Sequence, residues 1–272
     1  MVTDGETVYW ALCGSHQIVA LAANGGSNAE VVANVRDGSG WIYDMAVDDE
    51  AVYWANPGDP SDFEVDAIPG GIGRVVKTGG TPEHLITEGN VWGIALDGDR
   101  IYWTRSNVAD DSSPSGAILE GSKSGEVLAF LARVPGQRIV VDEAAIYFEN
   151  PIGPSIARLE KTGGEPIDLA PALGLLSGLA AHEGHVYWSD DGGLWRVPRD
   201  GGAAERIDDS SGSFTIDGDT IYYERHRVLV ARREDRVTPL ARVAGTISGM
   251  VVASGYLYFG DFNADSVSRI LL

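Results

Sequence analysis

The sequence is short of cysteine, of positive charge and of long apolar runs. Cys13 is the only cysteine in 272 residues, so an intrachain disulfide framework is excluded. No apolar run reaches the roughly 18 residues of a membrane helix. The opening "MVTDGETVYW" has neither the basic start nor the apolar stretch of a secretory signal. Twenty Lys and Arg face 40 Asp and Glu, for a net charge of −20. That balance opposes binding to nucleic acid or anionic lipid and suits cations, basic partners or solubility alone. No segment sustains a helical period, yet 44% of residues are hydrophobic. The chain therefore reads as a soluble, nearly all-β protein with enough apolar side chain to build a core.

What is present is a repeat. TVYW, AVYW, RIYW, AIYF, HVYW, TIYY and YLYF place tyrosines at positions 9, 53, 102, 147, 187, 222 and 258, in steps of 44, 49, 45, 40, 35 and 36. Five residues before each tyrosine stands Asp4, Asp48, Asp97, Asp142, His182, Asp217 or Ala253. Asp-Gly at 4–5, 97–98 and 217–218 is hairpin chemistry, so the flanking apolar runs read as paired antiparallel strands. A third strand with an apolar-basic pattern ends in Gly-Gly, as in "GRVVKTGG", "ARLEKTGG" and "WRVPRDGG". That turn opens into a fourth strand such as "TPEHLIT" or "EPIDLA".

Four short strands per unit of roughly 40 residues predict a propeller blade. The expectation is a single seven-bladed β-propeller with blades near residues 1–34, 35–87, 88–133, 134–170, 171–208, 209–243 and 244–272. The last unit stops after a third strand, "SVSRILL". Residues 1–4 align with the first strand of unit one, so they cannot supply the missing strand without leaving their own blade. The chain is expected to be either a propeller with a three-stranded last blade or a fragment lacking a closing strand. In the first case the "SVSRILL" edge invites association with another chain.

The sequences "YWSD" (187–190), "YWTR" (102–105) and "YFGD" (258–261) resemble the YWTD repeat of low-density-lipoprotein-receptor propellers. Bacterial proteins with units of the form AVDxxxVYW…RVPKxGG are closer still. The resemblance covers the whole chain and implies the propeller fold, with an extracellular or periplasmic setting. It is specific for fold and says little of chemistry. Receptor propellers have six blades, whereas seven tyrosine-anchored units are present. The motif acid is kept only at Asp190 and Asp261, and Leu12, Asn56, Arg105, Asn150 and Arg225 stand in the other units.

Adjacent strand residues point to opposite faces, so each tyrosine and the aromatic after it are expected to pack against the two neighbouring blades. Function is sought where the units differ. From the second motif aromatic to the Gly turn the count is 25 in unit two and 22 in unit three, against 15 in units one and four and 13 in unit five. The two insertions, 55–71 and 105–116, carry Asp59, Asp62, Phe63, Glu64, Asp66, Arg105, Asp110 and Asp111. Trp41 and Trp92 enter the first strands of the same two units. Together these residues form the predicted binding patch, because loops on a rigid scaffold are where binding sits.

Calcium is the alternative use of the acids, although "DPSDFEVD" lacks the spacing of an EF-hand loop. No cofactor is implied. His16, His84, His182, His185 and Cys13 are scattered and do not form a zinc pattern. Cys13 and His16 share one loop, but there is no G-x-S-x-G elbow and no phosphate-binding glycine loop opening a helix. The expected function is a non-enzymatic scaffold presenting an acidic loop face to a protein, peptide or carbohydrate. The alternative is a metal-assisted hydrolase or lyase using the central channel, and no catalytic residue is assigned.

Overall fold

Short apolar runs cut by Asp and Gly turns organise the chain into antiparallel sheets, with the aromatic-bearing strands of three of them buried along nearly their whole length. The computed structural model describes residues 1–12, 15–25, 28–35, 42–58, 70–107, 115–261 and 266–272. The first sheet holds β1 (Val2–Thr3), β2 (Thr7–Leu12), β3 (Gln17–Ala22) and β4 (Glu30–Asn34). The second holds β5 (Asp44–Val47), β6 (Ala51–Asn56), β7 (Gly71–Val76) and β8 (Glu83–Thr87). The third holds β9 (Val91–Asp97), β10 (Arg100–Asn107), β11 (Ser115–Ser122) and β12 (Val127–Ala132). The fourth holds β13 (Ile139–Val141), β14 (Ala145–Asn150), β15 (Ser155–Glu160) and β16 (Ile167–Pro171). The fifth holds β17 (Gly178–His182), β18 (His185–Asp190), β19 (Gly193–Pro198) and β20 (Glu205–Asp208). The sixth holds β21 (Phe214–Asp217), β22 (Thr220–Arg225), β23 (Val228–Arg233) and β24 (Arg236–Arg242). The seventh has only β25 (Ile247–Ala253), β26 (Tyr256–Asp261) and β27 (Ser266–Leu271).

The chain is thus a seven-bladed β-propeller whose last blade has three strands, with no helix among the described residues. Its backbone groups into two compact units. One comprises Met1–Trp10, Ala20–Ala29 and Ala172–Leu272, the other Ala11–Val19 and Glu30–Pro171.

The repeated aromatic pair is core. In the second unit Tyr53 and Trp103 share one buried cluster with Ile72, Ile94 and Leu119, between the second and third sheets. Tyr102, the neighbour of Trp103, lies in the next cluster with Ile118, Ile146 and Phe148, between the third and fourth sheets. Adjacent residues of β10 therefore face opposite blades, as the pleat requires. In the first unit Tyr222 packs with Leu257 and Phe259, and Tyr258 packs with Val8 and Ala23. The large indoles need room beneath them. Gly73 pairs with Trp54 across the sheet, and a Cβ on Gly73 would lie 2.1 Å from the Trp54 ring.

The five-residue spacing from turn acid to tyrosine has a geometric cause. Asp48 Oδ1 accepts the N–H groups of Glu50 and Ala51 at 2.8 Å each, and the Tyr53 hydroxyl donates to Oδ2 at 3.1 Å. Asp4 and Asp142 repeat the pattern with Tyr9 and Tyr147. A basic residue from the next blade completes it. Lys123 donates to Asp48 at 2.5 Å and Lys161 to Asp97 at 2.6 Å. The acid therefore closes its own hairpin and staples two blades.

Burial raises the Asp48 carboxyl pKa, but the Lys123 ammonium and the N–H groups of Ala51 and Glu50 outweigh it and hold the group below its ordinary value. A depressed folded-state value stabilises the protein above the unfolded value near 4 and loses that contribution as pH falls through the folded one. Asp48→Asn is expected to cost about 1–2 kcal/mol at pH 7. Urea titrations should show the gap from the parent closing below about pH 4.

The motif acid of the fifth blade is structural too. Buried Asp190 accepts from Trp188 Nε1 at 3.0 Å and from the N–H groups of Leu173 and Gly192 at 2.9 and 2.8 Å. In the third blade Arg105 occupies that position, and Glu88 supplies the acid from another direction. Trp103 Nε1 donates to Glu88 at 3.4 Å, and Arg105 pairs with the same oxygen at 3.8 Å. Arg105 thus has a structural partner.

The fourth strands share one irregularity. Their register shifts by a residue between Ile72 and Gly73, Ile118 and Leu119, Ile156 and Ala157, Leu194 and Trp195, and Leu229 and Val230 of the third strands. A bulge at the same place in five sheets is a feature of the repeat.

Candidate functional site

Strands β5, β9 and β13 of the second unit begin side by side, and their first residues are laced together. Asp44 Oδ2 accepts the Ile94 N–H at 3.1 Å, and Asp44 Oδ1 accepts its neighbour Met45 at 2.9 Å. The Thr104 hydroxyl donates to the Gln137 carbonyl at 2.6 Å and accepts the Gly93 N–H at 2.9 Å. The lacing demands close backbone approach. A Cβ on Gly93 would stand 2.2 Å from the Gln137 oxygen. Gly93→Ala is expected to push the start of β13 away, lower Tm by several degrees and perturb every group described next; calorimetry and binding assays read both.

Around this lacing lie two aromatic rings and three charges. Tyr43 and Trp92 meet edge to face, with centroids 4.8 Å apart at 84°, a favoured geometry for aromatic pairs. Tyr43 is 39% exposed. Trp92 is anchored by its Nε1 donating to the Ser106 carbonyl at 2.9 Å, so its ring is fixed before any ligand arrives. Burial raises the Tyr43 pKa, with Arg138 acting to lower it and Glu149 and Asp44 to raise it. Those three charges therefore lie close enough to act on the phenol. Arg138 and Glu149 are neighbours across the β13–β14 pair, where the Glu149 N–H donates to the Arg138 carbonyl at 3.0 Å.

Asp44 is the unusual group. Burial pushes its carboxyl pKa up, and the Ile94 N–H, Arg138 and the Met45 N–H recover only part of the cost. A carboxylate held at such a cost beside exposed aromatic surface is a candidate functional group. Ser106 adds a second mark. It is 1% exposed, and its hydroxyl has no hydrogen-bond partner among the described residues.

The predicted long connections spring from this same end of the sheets. The Asn90 N–H donates to the Pro57 carbonyl at 2.8 Å and the Ser106 N–H to the Asn90 carbonyl at 3.0 Å. The two stems of the first connection converge, since a Cβ on Gly70 would lie 2.4 Å from the Gly58 nitrogen. Of the predicted patch, Trp92 and Arg105 are placed here. Trp41, Asp59, Asp62, Phe63, Glu64, Asp66, Asp110 and Asp111 lie outside the described residues, as does Cys13.

The repeat pattern and the insertions do not point to Tyr43, Asp44, Arg138 or Glu149. Asp44 opens β5 and Tyr43 immediately precedes it in "IYDMAV", close after Trp41. Glu149 follows the aromatic pair of the fourth blade at a buried position, 3% exposed. An acid in an otherwise apolar strand is the available signal. His182 and His185 are cross-strand partners at the β17–β18 hairpin, but their rings take different carbonyls: His182 Nε2 contacts that of Gly218 at 3.0 Å, and His185 Nδ1 that of Glu183 at 3.2 Å. Among the described residues no group of three or more His, Cys, Asp or Glu is arranged to hold a metal.

No protein-family model and no curated protein matches the chain. Solved structures do. A chain of a nidogen/laminin complex is 19% identical over 98% of this chain and 93% of that one, with a TM-score of 0.59. The computationally designed Ika8 protein is 10% identical over 96% and 79%, at 0.60. The extracellular domain of the B. thetaiotaomicron two-component protein BT4673 is 11% identical over 97% of this chain but only 37% of that one, at 0.60. Partners so different at such low identity share the architecture alone, and the resemblance to YWTD repeats stands at the level of the fold.

Proposed function

We propose that the protein is a non-enzymatic binding scaffold that takes a polypeptide segment bearing a basic side chain, outside the cytoplasm, at the end of β5, β9 and β13. The observation that carries this reading is the Tyr43–Trp92 aromatic pair beside the Asp44 carboxyl, whose pKa desolvation raises. A cation held over aromatic faces and against a carboxylate gains from both. The fixed Trp92 indole keeps the ordering cost of binding low. A net charge of −20 speeds encounter with basic partners. Asp59, Asp62, Glu64, Asp66, Asp110 and Asp111, on the connections that leave this end, would extend the same preference, with Trp41 and Phe63 adding apolar contact. The extracellular neighbours among solved structures, and the nidogen/laminin complex, agree with this setting and role.

A synthetic peptide array that varies one central residue tests the reading. Lys and Arg at that position should give saturable binding, at least tenfold tighter than Glu, and the preference should weaken with salt. Equal binding of basic and acidic peptides, or none, refutes it.

A further inference from the structure

We propose that the outer edge of β27 is a second binding site, which accepts an extended strand of a partner polypeptide carrying Glu-x-aliphatic followed by a small residue or Ile.

The pattern is read from the other blades. In the second and fifth sheets the third-strand arginine that pairs with the tyrosine also faces a glutamate: Arg74 opposes Glu83, and Arg196 opposes Glu205 with 2.7 Å between charges. Arg269 holds the same register against Tyr258 and donates to its hydroxyl at 3.2 Å. No carboxylate among the described residues pairs with it. Instead it rests over the Tyr256 ring, 4.8 Å from the centroid.

Two residues after the glutamate position comes Val32, Leu85, Leu131, Leu169, Ile207 or Leu240 in the six complete sheets, always a branched aliphatic. At three turns of the second unit its carbonyl meets the glycine turn of the following sheet: Val32 at Gly79, Leu85 at Gly125 and Leu131 at Gly163. The Gly80 N–H donates to the Val32 carbonyl at 3.4 Å and the Gly164 N–H to the Leu131 carbonyl at 3.0 Å. The residue after it is small or Ile in five sheets and Asp208 in the other. It lies opposite the position that Val267 holds in the seventh sheet, after the recurrent bulge.

The seventh sheet presents an arginine in the register of Arg74 and Arg196, and an apolar residue, Val267, where the other third strands meet their fourth. Val267 and Leu21 flank a cluster of Val8, Ala23, Ala253 and Tyr258. The turn glycine of the first sheet, Gly25, has only the Arg269 guanidinium near its Cβ position, at 3.9 Å, where Gly163 meets the Leu131 carbonyl at 2.8 Å. Leu271 is 70% exposed. The edge is unpaired among the described residues, because Val2 and Thr3 are already paired with Tyr9 and Val8. Strand addition satisfies the edge and reads alternate side chains.

The probe is a labelled peptide of this chain's own residues 81–90, TPEHLITEGN, titrated by fluorescence anisotropy, with hydrogen exchange of residues 266–271 as the second readout. Saturable binding with new protection of those amides is expected. Arg269→Ala, or lysine in place of the peptide's glutamate, should weaken it at least fivefold, and aspartate in place of its leucine should abolish it. Asp44→Asn should leave it unchanged, which separates this site from the one proposed above. No saturation up to millimolar peptide, indifference to Arg269→Ala, or amides of β27 already protected without peptide, by a second copy or another segment, would overturn the proposal.

Discussion

Trp103→Ala is expected to lower stability by about 3–5 kcal/mol, as for other fully buried large aromatics, and Tm by about 6–20 °C. The indole is 0% exposed in the cluster that joins the second and third sheets, so its removal leaves a cavity lined by residues of two blades. It also frees Glu88, which among the described residues then keeps its pairing with Arg105. Trp92→Ala should cost much less, because Trp92 is partly exposed and makes one hydrogen bond. Calorimetry on the two variants separates a scaffold aromatic from a site aromatic. Equal costs would contradict the division drawn between the repeated pair and the rest.

Asp44→Asn is expected to do the opposite: to leave Tm unchanged or raise it at neutral pH while removing most of the binding. The amide oxygen can still accept the Ile94 N–H, so the lacing of β5 to β9 persists. What disappears is a charge that burial opposes. The sign follows from the raised folded-state pKa. The protonated carboxyl's advantage is fully present below the unfolded value near 4 and is lost as pH rises through the folded value. The gain of Asp44→Asn over the parent should therefore be largest near pH 7 and shrink toward pH 4 in thermal melts. A variant that is less stable than the parent at pH 7 would show that the carboxylate serves the fold. Activity bought with stability is common at functional sites, and here the exchange falls on one atom pair.

The fold was legible in the sequence because its signals are local and repeated. Tyrosine spacing, Asp-Gly turns and Gly-Gly turns each state a strand end, and seven copies reinforce one another. The role of the turn acid was only half legible. A hairpin acid can be read from Asp-Gly, but the Tyr53 hydroxyl and Lys123 reach Asp48 through the pleat and the next blade. The site was less legible still. Asp44 and Ile94 are fifty residues apart, and Arg138 and Glu149 come from a third sheet. No spacing rule links residues brought together by blade packing. Trp92 stands beside an insertion and is legible for that reason, whereas Tyr43 stands one residue before β5 in a stretch with no spacing signal.

The most direct test is isothermal titration of the tightest basic peptide from the array into the parent, Tyr43→Ala, Asp44→Asn and Tyr102→Phe proteins, with Tm recorded for each. Affinity should fall at least tenfold for Tyr43→Ala and Asp44→Asn with no loss of Tm in Asp44→Asn, and stay within twofold for Tyr102→Phe. Undiminished affinity in both Tyr43→Ala and Asp44→Asn would place function elsewhere on the propeller.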